Sequence, residues 1–333
     1  MAGNTVATLA LAKRAEVWSA ELKEILRDEL QGMKYVNWLS DFPDGDTFKI
    51  PSLGDATVRD FLNQANGSPH TNGTEDNSVI YDPIDDAQFT FTITEYLSSA
   101  NYITNKAMQD VYYSNQIMSQ FVPLQERALM ERLETDIMKL AQTGQTAANP
   151  NDINGVAHRI IGSGTNAGGS ADGTIAVEDF AKALRALKTG KVPQRNLVAI
   201  VDPSVEFEMN TLSALTSVSN NPRWEGIVNT GIASGMSFVA NIYGFDVYTS
   251  NYLATKASET ISGTAAPANA INNLFFSADQ AVSPFVGAWR QMPEVDTEYN
   301  KDYQRTEFVT TARYGMKLYR PENMVSVLTK PMA

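Results

Sequence analysis

Two short segments, Thr47-Phe48-Lys49-Ile50-Pro51 and Gln88 to Glu95, constrain this chain more than any other feature. In the first, which follows the turn residues Pro43, Asp44 and Gly45, the apolar Phe48 and Ile50 alternate with polar neighbours. In the second, Phe89, Phe91 and Ile93 alternate with Thr90, Thr92 and Thr94. Period-two alternation reads as β-strand. Between the two lie Asn66-Gly67-Ser68-Pro69 and Asn72-Gly73-Thr74-Glu75-Asp76-Asn77, so the spacing predicts the arms of one long hairpin with a polar tip. A connection of this length is unusual inside a compact domain, and an isolated two-stranded ribbon is marginal in water. A neighbouring subunit is therefore expected to cover its apolar side, through Phe48, Ile50, Phe89, Phe91 and Ile93. Each such side chain, fully buried, is worth roughly 1.5 to 3 kcal/mol. Serine at Phe89 and Phe91 is accordingly expected to weaken an assembly more than the subunit, and shortening the tip, Asn63 to Asn77, to leave the subunit folded.

Helical patterns flank the hairpin. Trp18, Leu22, Ile25, Leu26 and Leu30 recur at spacings of three and four over Ala15 to Leu30, with Gly32 as a stop. A longer pattern runs from Asn105 to Thr143. In its second half Leu129, Leu133, Ile137, Leu140 and Ala141 form one stripe, while Arg127 with Glu131 and Arg132 with Asp136 stand four apart on the polar side, and Gly144 ends it. Because proline removes a ladder bond and bends a helix, the long helix is expected to begin just before Pro123, with a shorter helix upstream. Asn149 to Gly173 reads as a Gly, Asn and Ser-rich connector. Val177 to Leu187 reads as a helix, with Val177, Phe180, Leu184 and Leu187 on one side and Gly190 as the stop. Asn196 to about Val286 mixes short strands and helices, with a polar insertion around Ser258 to Asn269. Strands return at Thr306 to Leu318 and Met324 to Leu328. No internal repeat is visible, and the class is α+β.

Composition narrows the functions open to such a chain. At 333 residues and 43% hydrophobic content it can bury a sizeable core. A formal net charge of −12, from 26 basic and 38 acidic residues, opposes a tight, general grip on nucleic acid or an anionic membrane. No cysteine is present, which removes disulfides, thiol catalysis and thiolate metal sites together. The apolar stretch from Val6 to Ala12 has no basic region before it and runs into Lys13, Arg14 and Glu16, the wrong order for a secretory signal. Nowhere do about 18 apolar residues run together, so no membrane span is expected.

The candidate chemistries are weak. Gly162-Ser163-Gly164 followed by Gly168-Gly169 lacks the glycine spacing of a dinucleotide fingerprint and reads as flexible linker. Gly190-Lys191 lacks both the first glycine of a phosphate-binding loop and the hydroxyl residue after the lysine. His70 and His158, the only histidines, have no partner at ligand spacing and read as surface residues. The calcium-loop flavour of Asn151, Asp152, Asn154 and Gly155 fails at the closing position, which is Ile161. Asp85 with Asp86, and Glu294, Asp296 and Glu298, read as solvated or inter-subunit charges rather than hydrolytic dyads. No catalytic residue, metal ligand or cofactor is expected.

Leu197-Val198-Ala199-Ile200-Val201 runs straight into Asp202-Pro203-Ser204, and the segment closes on Ile242-Tyr243-Gly244-Phe245-Asp246-Val247-Tyr248-Thr249-Ser250-Asn251. The chain ends with Tyr314-Gly315-Met316-Lys317-Leu318-Tyr319-Arg320-Pro321-Glu322-Asn323-Met324-Val325. With the helical arm, hairpin and long helix before them, these segments resemble in order and spacing the major capsid proteins of tailed bacteriophages with the Hong Kong 97-type fold. The resemblance implies an N-terminal arm (residues 1–45), an E-loop hairpin (46–100), a spine helix and peripheral domain (101–194), an axial domain (195–286), and returning peripheral-domain strands with a final axial strand (287–333).

What the resemblance further implies is self-assembly as hexamers and pentamers into an icosahedral shell around double-stranded DNA. Contact with that DNA is expected to be weak and non-specific, localisation in the virion, and assembly in the host cytoplasm. A portal and a separate scaffolding protein are the expected partners. The scaffold is expected because only about forty residues precede the hairpin, far fewer than a fused coiled-coil scaffold needs. Some family members cross-link a hairpin lysine to a neighbour's asparagine. Lys49 is the only lysine between Leu39 and Ala100 and sits at the hairpin base, so no such bond is expected. An encapsulin-like bacterial compartment, which would hold a cargo peptide instead of DNA, is the alternative, and a mixed-fold enzyme a remote one.

Overall fold

The structure, a computed structural model, describes residues 30–39, 47–53, 64–65, 68–69, 86–110, 114–142, 152–165, 172–211, 238–256, 259–261 and 263–331. The expected N-terminal helix, the hairpin tip except for two short strands, His70 and Gly144 lie outside them. In chain order the strands are β1 (Val36–Leu39), β2 (Thr47–Leu53), β3 (Gln64–Ala65), β4 (Ser68–Pro69), β5 (Asp86–Thr92), β6 (Glu95–Thr104), β7 (Asp152–Ile153), β8 (Val156–Ala157), β9 (Arg159–Ile161), β10 (Leu197–Val201), β11 (Phe238–Ile242), β12 (Phe245–Thr249), β13 (Thr255–Lys256), β14 (Thr260–Ile261), β15 (Thr264–Ala265), β16 (Ala270–Ser277), β17 (Phe285–Asn300), β18 (Arg305–Leu318) and β19 (Met324–Thr329). The helices are α1 (Asn105–Asp110), α2 (Ser114–Lys139), α3 (Val177–Thr189) and α4 (Pro203–Thr211).

The unbroken apolar run of β10 follows from burial on both faces. It lies inside a mixed sheet of order β11-β12-β10-β16-β19-β9, with β13 paired to β16. Leu197, Ala199 and Val201, with Phe275, Val325 and Val327, face Phe180, Ala183 and Leu187 of α3 and Val205 and Met209 of α4. Val198 and Ile200, with Leu274, Phe276 and Met324, face Leu133, Ile137 and Met138 of α2. The sheet is thus a middle layer between two helical layers. Asn273 of β16 is satisfied inside the sheet: it accepts from the Asp202 N–H at 2.9 Å and donates to the Val327 carbonyl and to Thr329 Oγ1.

The second sheet has the order β1-β17-β18-β6. One of its faces packs on α2, where Tyr314 donates to Asp136 at 2.9 Å and Thr310 to Gln125 at 3.0 Å. The expected ion pairs Arg127–Glu131 and Arg132–Asp136 both form, at 3.1 Å. Leu129, Leu133, Ile137 and Ala141 are buried and Leu140 is half-buried, as the stripe predicts.

Four expectations are corrected. Helix α2 does not begin near Pro123 but runs through it from Ser114. The proline removes one ladder bond, whereas propagation adds a bond at every other residue, and its ring is exposed. The stretch Asn149 to Gly173 is no plain connector: β9 from within it pairs in parallel with β19 at the edge of the seven-stranded sheet. The returning hairpin arm is β5 from Asp86 to Thr92. Ile93 falls in a break before a further strand, β6, which pairs with β18. Finally, β17 is a single strand across residues 286 and 287, and β9 and α3 join the sheet of residues 195–286, so neither boundary of that segment divides the packing. Among the described residues no helix is long and apolar enough to cross a membrane.

Candidate functional site

The hairpin forms with the expected arms: β2 and β5 pair antiparallel, Phe48 opposite Phe91 and Ile50 opposite Phe89. Its root is anchored in the subunit. Phe91 is fully buried and Ile93 nearly so, packed with Val286 and Ala288 of β17, and Leu39, Phe89 and Tyr319 close the cluster. The Phe89 and Tyr319 rings meet edge to face at 4.9 Å. Lys317 donates to the Thr90 carbonyl at 2.8 Å and lies 4.8 Å from the centre of the Phe89 ring. At Gly315 the hairpin crosses so closely that a Cβ would stand 2.8 Å from the Ile93 Cα, so only glycine fits. Phe91 and Ile93 are therefore corrected from neighbour contacts to core residues of their own subunit, with Phe89 partly covered. Ile50 is half-buried. Phe48 is placed only by register.

A second surface lies on the free face of the four-stranded sheet. Alternation exposes Tyr96 and Tyr102 of β6, and Met292, Glu294, Asp296 and Glu298 of β17. At its distal end the Arg305 guanidinium lies 4.4 Å from the centre of the Tyr102 ring and 4.7 Å from that of Tyr303, both rings exposed. The three acids run along an exposed strand and converge on no cleft, so they form no dyad.

The turn before β1 is held by a residue that sequence reasoning missed. Glu134 of α2, adjacent to the apolar stripe, is buried, and its carboxylate accepts from the Gln31 N–H at 3.0 Å and the Gly32 N–H at 2.7 Å. Burial raises its pKa above the usual 4.5, against the pull of the Gly32, Gln31 and Met33 N–H groups. A raised folded value means a stability contribution that is full below about pH 4.5 and lost as pH rises through the folded pKa. Glu134→Gln should remove that dependence. Melting temperatures of the two proteins across pH 4 to 8 should converge at the acid end if Glu134 is neutral there, and differ by a pH-dependent amount above it. A constant difference would contradict a titrating Glu134.

The remaining expected sites resolve into structure. Gly162 belongs to no flexible linker or phosphate loop: a Cβ there would stand 2.4 Å from the Thr174 carbonyl oxygen, and Ser163 donates through N–H and hydroxyl to the buried Asp179. Asn154 and Gly155, with φ of 52° and 75°, make the two-residue turn between β7 and β8. His158 is corrected from surface to buried. Its Nδ1 lies 3.1 Å from the Val156 carbonyl, and burial lowers its pKa. Beside it Arg159 forms a buried ion pair with Glu259. Among the described residues no group of three or more His, Asp or Glu is placed to hold a metal ion.

The model of a family described as phage capsid protein matches residues 86–327. No curated protein matches the chain. Among solved structures, the chain is similar to the capsid structure of the cyanophage P-SCSP1u, at 18% identity over 96% of this chain and 93% of that one, with a TM-score of 0.69. It is also similar to a structure from Mycobacterium phage Che8, at 17% identity over 94% and 96%, TM-score 0.66. A third likeness is to the capsid of Ralstonia phage GP4, at 11% identity over 96% of each chain, TM-score 0.63. These likenesses establish the expected fold, α+β of the Hong Kong 97 type.

Proposed function

The chain belongs to the phage capsid protein family, and from that premise we propose that its copies join as hexamers and pentamers that close an icosahedral shell around double-stranded DNA. It is a major capsid protein, a structural component of the virion. In our reading the seven-stranded sheet with α3 and α4 is the axial domain, α2 the spine, the four-stranded sheet the peripheral domain, and β2 with β5 the base of the E-loop. Ile50, with Phe48 opposite Phe91 in register, remains the part of the hairpin we assign to a neighbour. The shell assembles in the host cytoplasm with a separate scaffolding protein and a portal, touches its DNA weakly because of the net charge of −12, and catalyses no reaction.

One observation carries this reading: the family match spans the returning hairpin arm, the long helix, the seven-stranded sheet almost to the end of β19, and the four-stranded sheet apart from β1. Electron microscopy of the concentrated protein tests it. Capsomers or shells are expected, and a sharply monodisperse monomer would overturn it. Shells that enclose a cargo peptide and no DNA would point to a bacterial compartment instead.

Lys49 is exposed and sits opposite Thr90 in the base of the hairpin, remote from the tip by sequence. Mature particles boiled in denaturant should run as a single band at subunit mass. A ladder of covalent multimers would contradict this placement.

A further inference from the structure

From Phe180 to Val201 the sequence holds Lys182, Arg185, Lys188, Lys191 and Arg195 and no carboxylate, in a chain of net charge −12. Helix α3 turns Phe180, Ala183, Ala186 and Leu187 into the core and leaves Arg185 and Lys188 exposed. Lys182 is held by Glu178 at 3.2 Å and Asp179 at 3.5 Å. Arg185, Lys188, Lys191 and Arg195 form no ion pair with any described residue. An open groove of about 380 Å³ runs along this face, lined by Ala181, Leu184, Arg185, Lys188, Thr189 and Tyr243. Tyr243 sits at the β11–β12 turn with φ of 51° and is 46% exposed.

A groove with an apolar floor, one aromatic wall and a basic rim calls for an acidic peptide that also carries apolar side chains. Duplex DNA offers phosphates but stacks its apolar surface inside, so it matches the rim and not the floor. The chain itself carries such a peptide. From Asp60 to Asn105 it holds no lysine or arginine, and within that span Glu75, Asp76, Asp82, Asp85 and Asp86 are interleaved with Val79, Ile80, Tyr81 and Ile84. This segment belongs to the hairpin between β2 and β5. Counted back from Asp86, where β5 begins, extended chain at about 3.3 Å per residue reaches on the order of 35 Å at Glu75.

We propose that the α3 groove of one subunit is the seat for the acidic hairpin segment, Glu75 to Asp86, of a neighbouring copy. Carboxylates of the segment meet Arg185 and Lys188, and an apolar side chain covers Leu184 and Tyr243. This rests on the reading of the hairpin as an inter-subunit arm. Every copy in a shell then both offers an arm and receives one, as a heterologous contact that closes into a ring requires.

Charge reversal tests it in the full-length protein. Arg185→Glu with Lys188→Glu, and separately Asp82→Lys with Asp85→Lys, should each lower shell yield by roughly tenfold at low salt, because like charges then face each other. The four changes together should restore yield to within about twofold, and raised salt should weaken the wild-type contact. Melting of each dissociated subunit, expected unchanged, shows that folding is intact. Normal yield from Arg185→Glu with Lys188→Glu, beside a wild type that forms shells, would overturn the groove. A wild type that forms no shell would instead count against the capsid reading. Empty shells at normal yield that fail only to retain DNA would put nucleic acid in the groove and also overturn the proposal.

Discussion

Phe91→Ala is expected to cost the dissociated subunit about 3 to 5 kcal/mol, the range for emptying a fully buried phenylalanine site. Phe91 is 0% exposed in the isolated chain, and the Val286, Ala288 and Ile93 side chains around it belong to that same chain. A cavity there cannot collapse easily, because Gly315 already brings the two backbones to their closest approach. Ile50→Ala should behave the other way. Its side chain is half-buried in the subunit, so its loss should show mainly in particle stability. Denaturant unfolding of dissociated subunits, beside dissociation of intact particles, separates the two. An unchanged unfolding midpoint for Phe91→Ala, with particles lost, would return Phe91 to the neighbour-facing role that alternation alone suggests.

That reversal marks where sequence reading stops. Alternation located the two hairpin arms, and the register Phe48–Phe91 and Ile50–Phe89 follows from it. Which body covers the apolar face is another matter. The cover for Phe91 comes from Val286 and Ala288, nearly 200 positions along the chain, and nothing in a local pattern tells a distant segment of one chain from a second copy. The stripe on α2 and the pairs Arg127–Glu131 and Arg132–Asp136 were legible because helix neighbours are three and four apart. Pro123 misled because its local cost is certain while the bonds gained on both sides are cooperative. Glu134, one position past Leu133, carried a visible sign, a carboxylate beside an apolar stripe. Its partners Gln31 and Gly32 lie about a hundred residues upstream. His158 read as surface because no partner stands at ligand spacing in the sequence, yet it is buried just before β9, where the Ser326 N–H of β19 donates to its carbonyl.

The Arg159–Glu259 pair carries the other large effect. Arg159 lies on the edge strand β9 with its side chain 0% exposed, and Glu259, 1% exposed, precedes β14. The Arg159 Nη2 group donates to Glu259 Oε2. Burial pulls the guanidinium below its ordinary pKa, and the Glu259 charge pulls it back up. Removing either member leaves an ion in a dry site, so Arg159→Met and Glu259→Leu should each cost roughly 3 to 5 kcal/mol. Replacing both removes that penalty. Apolar contacts are at hand in Ile161, Ile261, Ala266 and Leu328, so the double variant Arg159→Met with Glu259→Leu should recover to within about 1 to 2 kcal/mol of the parent or exceed it. Unfolding free energies of the four proteins close the cycle. Single losses that simply add in the double variant would mean the two charges are not coupled, and the 259–266 turn would then be held to β9 by its apolar contacts alone.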